Sequence, residues 1–260
     1  MNRLTHRFDR CHRGIRQAVS TWASAVLNFV YPPECQLCGA EIEGIGPVFC
    51  ENCIQQLKPS LTNECPRCGA PAGDFVELSQ GCPQCRKESF AFERVIRLGI
   101  YGDQMRVACL RAKGAGGSSL TRGLADVLVD QKRPIFDQFP LDLVVPVPEH
   151  WSRRFLHPHY AAEILSRQIG HRLGVPWSRS VLIKQRRTPK QATSPTPRRR
   201  QQQQGSFAVK QNRDLAGKSI LLVDDILTTG ATADAAARTL KLAGTRRVIV
   251  AVIAVSPLRS

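Results

Sequence analysis

Eight cysteines in four Cys-x-x-Cys pairs crowd one short stretch of this chain: Cys35/Cys38, Cys50/Cys53, Cys65/Cys68 and Cys82/Cys85. The pairs are separated by 11, 11 and 13 residues. Two residues between cysteines turn both thiolates into one tight turn, half of a tetrahedral site, and a second such turn completes it. A sequential grouping puts Cys35, Cys38, Cys50 and Cys53 on one Zn²⁺ and Cys65, Cys68, Cys82 and Cys85 on another. Spacing alone also allows an interleaved grouping. The Gly after the second cysteine, at Gly39 and Gly69, relieves a left-handed backbone position and lets amides face the sulfurs. Disulfides are the main rival, but regular pairs in a chain with no clear export signal favour metal. Iron–sulfur runs are more compact, and a thioredoxin-like site needs one pair beside a βαβ unit. No cysteine of the stretch is spare to leave a coordination position open, so both zincs are expected to be structural. Residues 35–90 are too few for a good core, and metal binding would supply their folding energy. Cys11 and Cys109 stand alone, and Cys109 reads as a small buried hydrophobe in a helix.

The rest of the chain divides by charge and pattern. Its 260 residues allow one medium domain and a small one, and its net charge is +16. Residues 1–34 carry 5 basic and 2 acidic side chains, residues 35–90 carry 4 and 7, and residues 91–260 carry 28 and 12. The excess belongs to the C-terminal two-thirds, where it favours nucleic acid or phosphorylated substrates. No apolar run reaches the roughly 18–20 residues of a membrane span. Ile15–Val30 is apolar but broken by Gln17, Ser20, Thr21, Ser24 and Asn28, and Tyr31-Pro32-Pro33 reads as a helix stop. An amphipathic helix in residues 1–34 is therefore preferred to a signal peptide, and the expected compartment is the cytoplasm.

From Phe90 onward strands alternate with helices. Glu93–Tyr101, Asp142–Val147, Ile220–Asp224 and Arg247–Val255 read as strands. Gln104–Ala112, Leu120–Gln131, Pro158–Leu173 and Thr232–Ala243 read as helices, with Ser118 or Ser119 capping the second. This alternation predicts an α/β domain over 91–260 whose parallel sheet is covered by helices on both faces. Lys184–Arg200 holds seven basic residues, three prolines and no acid, and Gln201–Gln204 follows. Residues 184–204 thus read as a flexible loop, either a solvated linker or an arm that touches phosphates.

The strand Ile220–Val223 runs into Asp224 and Asp225, then small and hydroxylic residues, then a helix. A turn of small residues lets several backbone N–H groups converge on one anion, and the helix N-terminus adds partial positive charge. Thr228, Thr229 and Thr232 add hydroxyl donors. Acids at the carboxyl end of a parallel strand lie where such sheets place ligands, and they accept hydrogen bonds from vicinal sugar hydroxyls. An Asp-Asp metal pair or a plain strand-end turn would share the pattern. No Gly-Lys-Ser/Thr follows, which excludes a Walker loop.

The run Leu221-Leu222-Val223-Asp224-Asp225-Ile226-Leu227-Thr228-Thr229-Gly230-Ala231-Thr232 resembles the signature with which type I phosphoribosyltransferases bind phosphoribosyl pyrophosphate (PRPP). With four Cys-x-x-Cys pairs ahead of it, the chain resembles the ComF family over nearly its whole length. That resemblance implies a double zinc ribbon at 35–90 before a type I phosphoribosyltransferase-like domain at 91–260. Tyr31-Pro32-Pro33, Lys113-Gly114, Pro146-Val147-Pro148 and Gln191 fit the family. It further implies that Asp224 and Asp225 hold the ribose 2- and 3-hydroxyls. Leu227, Thr228, Thr229, Gly230, Ala231 and Thr232 would hold the 5-phosphate, and Mg²⁺ would bridge pyrophosphate to the sugar. One stretch departs from the family: Arg153-Arg154-Phe155-Leu156-His157-Pro158-His159-Tyr160 stands where Arg-Gly-Phe-Asn-Gln is usual. Arg153, Arg154 and Lys113 are the candidates to meet the leaving pyrophosphate, with His157 and His159 as replacement contacts. The implied roles are pentosyl transfer to a nitrogen nucleophile and handling of single-stranded DNA during natural transformation, with protein partners on the acidic zinc module. A catalytically inactive zinc-ribbon protein that binds nucleic acid or serves as an adaptor is the alternative.

Overall fold

A computed structural model describes residues 32–42, 48–58, 63–73, 75–114, 116–149, 160–185, 205–210 and 214–256. The expected N-terminal helix, most of the basic loop, and Arg153, Arg154, His157 and His159 lie outside these residues. The chain divides into two units, Met1–Cys50 and Glu51–Ser260. No helix among the described residues is long and apolar enough to cross a membrane.

In the first unit, residues 34–41 form a knuckle. The Cys35 amide donates to the Ala40 carbonyl and the Gly39 amide to the Cys35 carbonyl, each at 2.8 Å. Gly39 takes a φ of +76°, the left-handed turn expected after the cysteine pair.

The second unit contains helix α1 (Glu51–Leu57), a second knuckle and a parallel sheet. The strands are β1 (Arg94–Ile100), β2 (Leu143–Pro146), β5 (Ser219–Leu227) and β6 (Arg247–Val255), in the spatial order β1-β6-β5-β2. All three pairings are parallel. Parallel strands are buried on both faces, which is why β6 reads as one apolar run and is buried from Val248 to Val255. Helices α2 (Asp103–Ala112), α3 (Ser118–Phe136) and α4 (Ala161–Leu173) follow β1 and β2, and α3 and α4 pack on each other. Side chains alternate along a strand. Ile220 and Leu222 of β5 and Val248, Val250 and Val252 of β6 therefore share one face, where they meet Ala233, Ala236 and Leu240 of helix α5 (Ala231–Leu242).

Several expectations shift. Strand β5 does not stop at the acids but pairs onward, Asp224 with Val252 and Leu227 with Val255, because β6 keeps offering backbone partners to its end. Neither Ser118 nor Ser119 caps α3: the cap position falls on Gly117, which has no side chain to supply a hydrogen bond. That helix also runs past Gln131 and Pro134 to Phe136, whose side chain is buried. The loop expected from residue 184 is preceded and followed by short strands β3 (Leu182–Lys184) and β4 (Phe207–Val209), which pair antiparallel.

The second knuckle repeats the first. The Cys65 amide donates to Ala70 and the Gly69 amide to Cys65, and Gly69 has a φ of +71°. It lies against the sheet. The Val95 amide of β1 donates to the Pro66 carbonyl at 2.8 Å. A Cβ on Gly69 would stand 2.9 Å from methyls of both Val95 and Val255, whereas a Cβ on Gly39 would meet nothing within 4 Å. Gly39→Ala should therefore cost only left-handed backbone strain, about 1–2 kcal/mol. Gly69→Ala should add an overpacking cost of about 1–3 kcal/mol. Amide exchange at Cys35 and Cys65 reads each knuckle separately, and equal loss of protection at both would contradict this difference.

Candidate functional site

Strand β5 delivers its acids and the following loop to the carboxyl edge of the sheet. Gly230 closes the loop with a φ of +77° at the N-cap of α5, and the Ala231 amide donates to Thr229 Oγ1 at 3.4 Å. The first-turn N–H groups of a helix lack intrahelical acceptors, so loop and helix start together offer a concavity of the kind that suits an anion. Thr228 is exposed, while Thr229 and Thr232 are half-buried. Phe90 and Phe92, stacked at 4.6 Å, lie beneath the turn, and a Cβ on Gly230 would come within 3.1 Å of the Phe90 ring. Buried Asp234 anchors this floor. One carboxylate oxygen accepts the Ala91 amide at 2.7 Å and the other accepts Arg238 Nε at 3.0 Å, while Arg238 donates to the Ser89 carbonyl.

Asp224 and Asp225 stand side by side at the strand edge and interact with each other. The Asp225 amide donates to Asp224 Oδ1 at 2.9 Å, and the Ile226 amide to Asp225 Oδ1 at 2.8 Å. Burial, then the neighbouring Asp225 charge, pushes the Asp224 carboxyl well above the ordinary carboxylate range. Lys113, just after α2, reaches Asp225 Oδ2 at 2.7 Å. Burial alone would lower the Lys113 ammonium, but Asp225 holds it above the usual lysine value. Cys109 is buried in α2 as expected, and burial, with Asp225 adding, raises its thiol to about 12, so it stays protonated.

The cysteines gather in the sequential sets. The sulfurs of Cys35, Cys38, Cys50 and Cys53 lie within 4.8 Å of one another, and so do those of Cys65, Cys68, Cys82 and Cys85. In the second set the sulfur separations are 3.6 Å for Cys65–Cys85, 3.5 Å for Cys68–Cys82 and 3.8 Å for Cys82–Cys85. Zn–S bonds of about 2.3 Å in a tetrahedron place sulfurs about 3.8 Å apart, so the donor set fits structural zinc. The Cys82 amide donates to Cys65 Sγ at 3.4 Å, the kind of contact that favours the thiolate a metal requires.

One contact set was not anticipated from sequence. Arg97 of β1 is fully buried, and its Nε donates to the Gly69 carbonyl in the second knuckle and pairs with Glu64 Oε2 at 3.5 Å. Burial lowers its affinity for the proton, while Glu64 and the Cys68 sulfur support the charge. An arginine inside the apolar run Val95-Ile96-Arg97-Leu98 was the available signal. A shallow cleft joins this knuckle to the loop after β5, with Cys68, Cys85, Glu88 and Phe90 on one side and Thr228 and Thr229 on the other.

Fold and sites together define a class: a cysteine-rich zinc module joined to a phosphoribosyltransferase-type sheet. Residues 26–86 match the double zinc ribbon domain and residues 159–258 the phosphoribosyl transferase domain. Competence protein F of Haemophilus influenzae is 26% identical over 208 residues, covering 78% of this chain and 88% of that protein. The chain thus pairs a double zinc ribbon domain with a phosphoribosyl transferase domain and is similar to that competence protein over most of both lengths. Among solved structures, a glutamine PRPP amidotransferase from B. subtilis is 19% identical with a TM-score of 0.35, covering 52% of this chain and 27% of its own. An adenine phosphoribosyltransferase from Saccharomyces cerevisiae is 21% identical with a TM-score of 0.33, covering 52% of this chain and 69% of its own.

The raised Asp224 carboxyl has a consequence for stability. Its folded pKa lies above the unfolded one, so ionising it costs folding energy, and stability from this source falls as pH rises. Asp224→Asn keeps an oxygen for the Asp225 amide and removes the charge. It should raise the melting temperature at pH 8 by about 2–4 °C for each kcal/mol relieved, and by less at pH 5. A melting curve that is unchanged or lowered at pH 8 would count against this assignment.

Proposed function

We propose that the carboxyl edge of the sheet binds PRPP or a related sugar 5-phosphate, with Mg²⁺ accompanying the pyrophosphate. The observation that carries this reading is the left-handed Gly230 turn opening α5 beside the Asp224/Asp225 pair. In it, Thr228–Thr232 donate backbone and hydroxyl hydrogen bonds to the 5-phosphate, and Asp224 and Asp225 accept those of the ribose hydroxyls. Lys113 already neutralises Asp225, so a bound sugar shares that carboxylate with it, and the ammonium stays close to the sugar's charged substituents. Mg²⁺ bound with the ligand would supply further charge for pyrophosphate.

If the site turns over, the bond between C1 and the pyrophosphate oxygen breaks and a bond from C1 to a nitrogen nucleophile forms. The nitrogen's proton passes to solvent. The barrier is charge development on the sugar and the leaving group, and fixed donors answer it. Arg153 and Arg154 remain the further candidates for the leaving group. A second reading has the same loop gripping the phosphate of single-stranded DNA, with the basic 184–204 arm and the C-terminal domain supplying contacts. It is supported by the name of the Haemophilus relative and by the charge excess of residues 91–260.

Titration with PRPP and Mg²⁺, followed by thermal shift, separates these readings. At 100 times Kd a ligand adds about 2.7 kcal/mol of stability, which is several degrees for a domain of this size. Wild type should shift and Asp225→Asn should not. No shift in wild type, with tight DNA binding unaffected by the substitution, would overturn the sugar-phosphate site. Binding that is phosphate-driven should also weaken steeply with salt.

A further inference from the structure

The two cysteine sites are alike in ligands and turn geometry but not in surroundings. Behind the second stands Arg97, the only buried cation among the described residues. Its Nε serves the Gly69 carbonyl, directly after the ligand Cys68, while its Nη1 and Nη2 are buried with no hydrogen-bond partner. A buried guanidinium with idle donors is costly unless a charge of opposite sign lies close by. Glu64 does not balance it alone, because the same carboxylate also takes Lys132 at 2.9 Å. Two cations thus share one acid, which leaves one positive charge over. Protonated thiols cannot offset it. Four thiolates on one Zn²⁺ carry a net charge of −2 and can.

We propose that Arg97 is the internal counter-cation of the second zinc site and the residue that ties the metal-loaded knuckle to β1. The consequence is an asymmetry between chemically identical sites. Metal in the second site is held by its four sulfurs and by the sheet, and metal in the first site lacks this partner. The second ribbon then forms a fixed wall of the cleft it shares with Thr228 and Thr229.

The test measures release of zinc from the full chain to a chromogenic chelator, together with the ¹¹³Cd spectrum of the cadmium-loaded protein. Wild type should release two equivalents and give two resonances. Arg97→Met should release one equivalent about 10–100 times more readily, the range usual for partners lying just outside a metal's ligands. It should also displace one resonance only. Arg97→Lys, which keeps the charge, should recover much of the retention. Glu64→Gln removes a competing anion and should hold both equivalents at least as well as wild type. Folded Arg97→Met that keeps both metals at the wild-type rate would overturn the proposal. So would loss of one equivalent from Glu64→Gln, which would make the ion-pair network merely structural. Should Arg97→Met fail to fold, Arg97→Lys and Glu64→Gln decide: retention of both equivalents in each supports the counter-cation, and loss of one equivalent from either overturns it.

Discussion

The parallel pairing of β5 with β6 is the constraint on which the candidate site depends. Nine residues of each strand lie side by side, and the pairing persists through the acids to Leu227 and Val255. A slip of one residue would turn every side chain of the shifted strand to the opposite face. Register therefore fixes where the two carboxylates stand and where the chain must turn. The turn comes immediately after, at a glycine in the left-handed region, and α5 begins there. The loop is then held from below by the stacked Phe90 and Phe92 and by the Asp234 carboxylate, which reaches back to the segment leaving the second ribbon.

That segment explains how a module without a core of its own acquires a fixed place. The second ribbon buries little beyond its cysteines and Ala70, so its stability comes from metal and from borrowed surface. It borrows the face of β1 and β6 beside α5, through Pro66, Gly69 and Arg97. The first knuckle has the same hydrogen bonds, but its glycine faces open space. Two copies of one local solution have therefore been put to different mechanical use.

Much of this was legible in the residues. Apolar runs gave the positions and parallel character of the strands, since β6 follows Arg247 with the eight apolar residues Val-Ile-Val-Ala-Val-Ile-Ala-Val; their spatial order came only from the fold. The four cysteine pairs announced the metal sites, although only the folded positions of the sulfurs chose sequential over interleaved grouping. The candidate phosphate loop was visible because its pattern is local: strand, small residues, helix. What escaped was non-local. Nothing in the spacing ties Asp234 to Ala91, 143 residues away, or Arg97 to Gly69. The β3–β4 pair was hidden because three-residue strands flanking a polar loop carry too little pattern to register.

Two unbalanced clusters now stand near the same sheet edge, with opposite signs. Asp224 and Asp225 have one lysine between them, so ionising both acids would leave an excess negative charge at the candidate ligand site. Arg97 and Lys132 have one glutamate between them, which leaves an excess positive charge under the second ribbon. Folding energy favours neither arrangement by itself, because burial penalises an unpaired charge of either sign. Each imbalance becomes intelligible once the missing partner is supplied. On the proposed readings, a sugar's hydroxyl protons and the cation that travels with its pyrophosphate answer the acids, and the zinc-bound thiolates answer the arginine. On those readings the first partner would come and go, at a cluster that is half-open, and the second would stay, at a cluster that is largely buried.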